Sequence, residues 1–239
     1  MYGPACPHTV DRVAMLHRWD RLTFLHWSFE VDVVQRLLPR GLVVEEFQGA
    51  AWVGLVPFLM DVRIPGLPRL PWLLRFPETN VRTYVKGPSG ESGVWFFSLD
   101  AARLATVVAA RVSYRVPYFW SKMSVVETGA VKTYSTSRRL PGPRGAESKV
   151  VIDVGARYLP EELTEFDHFL TARWALYGTW GRRLLMARAE HPPWTLHRAR
   201  ALAWQGSLIE ATGLPAPHGE PLVHWSPGVG VRIGYPHRV

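Results

Sequence analysis

Polar and apolar side chains alternate most cleanly in FPETNVRTYV, residues 76–85. A period of two is the signature of a strand, so Glu78, Asn80, Arg82 and Tyr84 share one face and Thr79, Val81, Thr83 and Val85 the other. Neighbours on one face lie about 6.7 Å apart, which puts Glu78 and Arg82 roughly 13 Å apart along the backbone. They form no tight pair within the strand. Each needs a neighbouring strand, water or a ligand, and a polar cavity supplies such partners; a solvated outer face is the alternative.

The same reading predicts the other elements. Residues 12–18 form an amphipathic turn or short helix, and LTFLHWSFEVD a strand. VDVVQRLLP is a short helix with Asp32 at its cap, ended by Pro39 and Gly41. GLVVEEFQGAAWVGLVPFLMDVRI reads as a hairpin that turns near Gln48 and Gly49, with Pro57 marking an edge or a bulge. Four prolines within residues 65–77 cannot continue a ladder, so this apolar stretch is an ordered loop or lid. VWFFSL is a strand, after which Ser98 or Asp100 caps a helix over 101–112. Two strands follow, in SYRVPYFWSKMSVVE and AVKTYSTSR. PEELTEFDHFLTARWALYG is the strongest helix signal, stopped by Gly178. RRLLMARAEH, RARALAWQGSLIEATG and LVHWSPGVGVRI are late strands. The fold class is therefore α+β, with strands greatly outnumbering helices in one domain spanning 1–239.

Composition narrows the classes. The formal charge of +8 suggests nucleic acid, but it is evenly spread. Residues 1–135 carry 15 basic and 11 acidic groups and residues 136–239 carry 13 and 9, so each part is +4. With no basic block or tail, no nucleic-acid partner is expected. No apolar run reaches the roughly 18 residues of a membrane span, so no membrane partner is expected. The N-terminal stretch has no secretory pattern, which makes a cytoplasmic location the expectation. Cys6 is the sole cysteine and excludes an internal disulfide. Phosphate-loop, dinucleotide, nucleophile-elbow and HExxH motifs are all missing, and the histidines are scattered. Neither a metal site nor a cofactor is expected.

Beyond the polar strand, Arg111 continues the apolar stripe of Leu104, Val107 and Val108. It either pairs with Glu78 or reaches past the helix end on its aliphatic stem. His26, in an apolar strand, is a ligand contact or a satisfied core histidine. Tyr118, Trp120, Met123 and the run HPPW line an apolar pocket or pack the core.

Several motifs, in order, resemble one family. AWVGLVPFLM, FPETNVRTYV, GVWFFSLDAARLATVVAAR, VPYFWSKM, FLTARWALY and HPPW together resemble the YqjF-like proteins of DUF2071, a family of unknown function, over about residues 15–234. That resemblance implies an acetoacetate decarboxylase-like fold, a strongly curved and mostly antiparallel sheet enclosing a central cavity with a few flanking helices. It further implies that Arg111 and Pro117 correspond to the arginine and proline of the decarboxylase's catalytic segment, and Glu78 to its cavity glutamate. Tyr118 and Phe119 then stand where the decarboxylase has its lysine pair, and neither side chain offers the amine that Schiff-base chemistry requires. Lys122 is the nearest lysine; it shares the strand face of Tyr118, about 13 Å further along.

Three functions follow. The first is an internal site for a small anionic or carbonyl-containing organic ligand, contacted by Asn80, Arg82, Arg111 and His26, with Glu78 and Tyr118 as proton donors or acceptors. The second is a lyase, a decarboxylase or aldolase-like enzyme, with Lys122 as nucleophile or with acid/base groups alone. The third is a non-catalytic binding or structural homo-oligomer that uses residues 65–77 as its contact.

Overall fold

The computed structural model describes residues 2–66, 68, 74–104 and 117–239. The expected helix over 101–112, including Arg111, lies mostly outside these residues, as does the middle of the proline-rich stretch. Among the described residues no helix is long and apolar enough to cross a membrane.

One sheet of 13 strands organises the chain. The strands are β1 (Val13–Phe29), β2 (Val43–Val44), β3 (Ala51–Arg63), β4 (Arg75–Lys86), β5 (Ser92–Ala101), β6 (Tyr118–Thr128) and β7 (Val131–Leu140). They continue with β8 (Glu147–Arg157), β9 (Ala175–Trp180), β10 (Arg183–Glu190), β11 (His197–Gly206), β12 (Leu222–Gly234) and β13 (His237–Arg238). Two short α-helices are described, α1 (Val31–Gln35) and α2 (Glu165–Thr171).

The sheet closes on itself twice. β12, β1, β3, β4, β5, β9 and β10 pair in succession, and β10 returns to β12, which makes one ring. A second ring leaves β5 through β6, β7, β8 and β11 and rejoins β12. The two share the wall β12–β1–β3–β4–β5, so β4 has a chamber on each side. Its odd face looks into the second ring, where Val81 packs with Leu25, Val53, Val150 and Ile152. Its even face looks into the first.

Pro57 marks a bulge, though in the middle of the sheet rather than at an edge. β1 uses five steps between Asp20 and Leu25 where β3 uses four between Leu59 and Leu55, so β1 carries one extra residue opposite the proline. Proline brings no ladder donor there, and Arg21 takes up the slack at φ 52°. The extra residue flips the alternation: Met15, His17 and Trp19 before it, and Leu22, Phe24 and His26 after it, all face the first ring.

Two expected helices are corrected. Of residues 12–18, all but Arg12 belong to β1, because their backbone is claimed by β12 on one side and, from Leu16, by β3 on the other. The signal across 160–178 resolves into a 3-10 turn at Pro160–Glu162, the short α2, and β9. Thr164 begins α2 with a reciprocal capping box to Asp167. The helix ends where its last carbonyls find side-chain donors: Arg173 Nε reaches Phe169 O at 2.8 Å, Tyr84 Oη reaches Leu170 O at 2.5 Å, and Trp194 Nε1 reaches Thr171 O at 2.9 Å. Ala175–Trp180 is then taken up as a strand between β5 and β10.

Asp100 is not a helix cap. It lies within β5, fully buried, and accepts from Arg138 Nε at 2.9 Å, Arg138 Nη2 at 2.7 Å and Ser121 Oγ at 2.7 Å. The guanidinium stacks over Phe119, 3.7 Å from the ring centre. Removing one member strands a buried charge, whereas removing both does not. Arg138→Met is therefore expected to lower unfolding stability by roughly 3–5 kcal/mol. The double variant Asp100→Asn/Arg138→Met should lose less in urea denaturation.

Candidate functional site

The even face of β4 opens onto a pocket of about 330 Å³ inside the first ring. Glu78, Asn80 and Arg82 line it, joined by Tyr118 from the start of β6. All three β4 side chains are buried, so the alternation read from the sequence is an interior face rather than a solvated one. The surrounding wall is largely apolar: Leu22, Val56, Phe58, Met60 and Phe76 stand on the paired strands β1, β3 and β4. Trp19 and Trp194 stack with ring centres 6.2 Å apart.

Glu78 accepts a hydrogen bond from Tyr118 Oη at 2.8 Å. Among the described residues no basic side chain forms an ion pair with it. Burial pushes its carboxyl group up to about 8, the Tyr118 hydrogen bond pulls back, and the Asp100 charge adds to the rise. Glu78 is thus largely protonated at neutral pH. Burial first, and then the neighbouring Glu78, hold the Tyr118 phenol well above its ordinary range, so it remains a donor.

Arg82 has the opposite character. Its Nη2 donates to Leu170 O at 3.3 Å and its guanidinium sits over Phe24 and Tyr84, 5.2 and 5.7 Å from the ring centres. No carboxylate among the described residues lies within ion-pair distance, and its buried Nε has no hydrogen-bond partner. Asn80 Oδ1 is likewise buried and unpartnered. A guanidinium out of water and without a counter-ion is costly, and an anion at this position would offset that cost.

His26 stands behind the pocket rather than in its lining. Tyr84 gives its proton to Leu170 O, so His26 Nε2 is the donor in the 2.5 Å contact with Tyr84 Oη. Burial, then Arg82, keeps the imidazole well below its usual pKa. Its Nε2 supports Tyr84 while its buried Nδ1 has no hydrogen-bond partner, and Gly54 makes room for the ring: a Cβ there would stand 3.0 Å from Nε2. Lys122 does share the face of Tyr118, but that face has left the pocket by residue 122. The lysine is exposed on the outer side of β6, beside Ser137 and Lys149. Arg111 lies outside the described residues.

Two lining residues had no sequence signal of their own. Arg173 lines the pocket; it is buried against Glu45, with which it pairs, and its Nη2 has no hydrogen-bond partner. His17, in the stretch expected to be helical, lines the wall once β1 is a strand. From HPPW, His191 and Trp194 do line the pocket, as that motif suggested. Burial lowers both His17 and His191 to about 4, so both rings are neutral at pH 7.

Residues 16–230 match the family model DUF2071, described as an uncharacterized conserved protein. The chain is 32% identical over 213 residues to the uncharacterized protein YqjF of Bacillus subtilis (strain 168), covering 89% of this chain and 87% of that one. Among solved structures, an acetoacetate decarboxylase-like enzyme from Sphingomonas wittichii RW1 superposes with a TM-score of 0.67 at 13% identity, covering 98% of this chain and 96% of the other. The enduracididine biosynthesis enzyme MppR complexed with pyruvate superposes with a TM-score of 0.61 at 15% identity, covering 98% and 92%. These likenesses establish an acetoacetate decarboxylase-like fold.

The raised Glu78 pKa has a consequence for stability. Between about 4.5 and about 8 the unfolded chain has released this proton and the folded chain still holds it. The folded state then binds more protons, so stability falls as pH rises through that window. The full loss is on the order of 3–5 kcal/mol. Glu78→Gln cannot release a proton. Subtracting its urea-denaturation stability from wild type at pH 5 and pH 8.5 should show wild type losing ground to the variant; a difference that does not change with pH would contradict a buried, protonated Glu78.

Proposed function

The chain belongs to the DUF2071 family, and from that premise we propose that its pocket is the fold's central cavity and binds a small anionic or carbonyl-containing organic ligand. The observation that carries this reading is Arg82: a buried guanidinium at the pocket, with an unpartnered Nε and no carboxylate beside it among the described residues. An organic carboxylate supplies the missing charge and accepts from Nε. Asn80 offers a second polar contact, and protonated Glu78, steadied by Tyr118, faces the ligand as a neutral acid. Such a group donates a hydrogen bond or a proton to a carbonyl oxygen. The MppR structure holds pyruvate, an acid of this class, in the same fold.

Schiff-base chemistry finds no support in this pocket. No lysine is among the described residues lining it, and Lys122 is exposed on the outside of the barrel. Any turnover would run on Glu78 and Tyr118, which makes an acid/base lyase the variant of this reading closest to the geometry.

Titration calorimetry with a panel of carboxylic and 2-oxo acids, pyruvate and acetoacetate included, tests the proposal. Wild type should bind at least one member, and Arg82→Met should weaken that binding about 10- to 100-fold, the worth of a charged hydrogen bond. Equal binding by the variant, or no binding across the panel, would remove the anion site.

A further inference from the structure

The pocket is graded along its length. Along β3 and just past its end, the lining residues Val56, Phe58, Met60, Val62 and Ile64 are 0, 3, 4, 9 and 39% exposed in that order, so the lining opens toward Ile64. The β3–β4 register places Val56 opposite Asn80, Phe58 opposite Glu78 and Met60 opposite Phe76. The polar groups therefore sit at the closed end. From Phe58 to Ile64 the lining of β3 is apolar, over roughly 20 Å of strand. Across from it, His17 pairs with Val62 and Trp19 with Met60. His17 is uncharged at neutral pH, so the limb holds no charge among these residues.

A ligand the size of pyruvate would occupy the polar end and leave that limb unused. Resting on the anion site proposed above, we infer that the pocket takes an amphipathic organic acid, its carboxylate at Arg82 and an apolar alkyl or aryl tail lying along β3 toward Ile64. The head group enters first because the closed end holds the cation. The tail is held by desolvation alone, which makes tail length the determinant of affinity. Glu78 then faces the chain beyond the carboxylate, where a carbonyl or hydroxyl substituent would meet its proton.

The test is a length series of n-alkanoates, butanoate to decanoate, titrated at pH 7 below micelle formation against wild type and Arg82→Met, with octanamide as the uncharged control. Each methylene withdrawn from water contributes about a fourfold gain, so affinity should climb at least tenfold between butanoate and octanoate. Octanamide should bind at least tenfold more weakly than octanoate. Met60→Trp, which fills the limb, should cost decanoate most of its gain and spare butanoate; Val62→Phe does the same from a position nearer the opening if the first variant does not fold. A flat or falling series that still depends on Arg82 would overturn the tail and leave the anion site standing. Equal binding of octanoate and octanamide would overturn the placement of the head. Loss of Arg82 dependence at every length would overturn the anion site itself.

Discussion

β4 is hydrogen-bonded along both edges and enclosed on both faces, and this double enclosure governs the rest of the molecule. In a strand exposed on one side, alternation sorts polar residues outward. Here there is no outward side. Whatever occupies positions 78, 80 and 82 is placed inside the first ring, and the chain places an acid, an amide and a guanidinium there. The raised Glu78 pKa and the Arg82 guanidinium with no carboxylate beside it among the described residues both follow from that placement.

The two rings handle buried charge differently. In the second, Asp100 and Arg138 form a two-point pair, Ser121 donates to the acid, and Phe119 covers the guanidinium. That cluster is closed, with nothing left for a ligand. In the first, Glu78 is kept protonated and Arg82 faces only carbonyl and aromatic groups. Burying a cation on these terms opposes folding. Such unmet polar capacity beside open volume is what the proposed ligand site rests on. Arg82 and Tyr84 also tie the site to α2, because both end on the Leu170 carbonyl. The helix terminus is thus completed by the same strand that furnishes the pocket.

Local pattern revealed β4, the cores of the late strands and the Gln48–Gly49 turn, because each rests on spacing or on backbone preference within a few residues. The expected hairpin around that turn is not formed, since β2 pairs with β4, and β11 ends at Gly206 before a 3-10 turn at Glu210–Thr212. Gln48 and Gly49 do adopt positive φ, 54° and 74°. The failures have a common physical origin in long-range pairing. Leu170, Trp174 and Tyr177 keep helical spacing, yet residues 175–180 are claimed by two strands distant in sequence, and that pairing outweighs local propensity. His17 was lost with the same kind of error in β1. Pro57 was half legible: the proline announced a bulge, but only the register shows the extra residue on the partner strand, and hence that Trp19 and Leu22 face the same chamber. Arg173 gave no local sign, since its meaning depends on Glu45, 128 residues away.

The fold is shared with acetoacetate decarboxylase-like proteins, and the sequence resemblance implies that Tyr118 and Phe119 stand where the decarboxylase has its lysine pair. With no lysine among the described lining residues, no imine can form on them, and no ammonium group among them holds Glu78 ionised. The two differences reinforce each other. With no amine beside it, the glutamate retains its proton and adds no negative charge to the chamber. Arg82 is then left as the lone unneutralised charge among the described lining residues, Arg173 being matched by Glu45. A neutral acid and one cation without a counter-ion beside an apolar wall are the features on which the proposed amphipathic anion rests: the wall would desolvate a tail and the cation would hold a head.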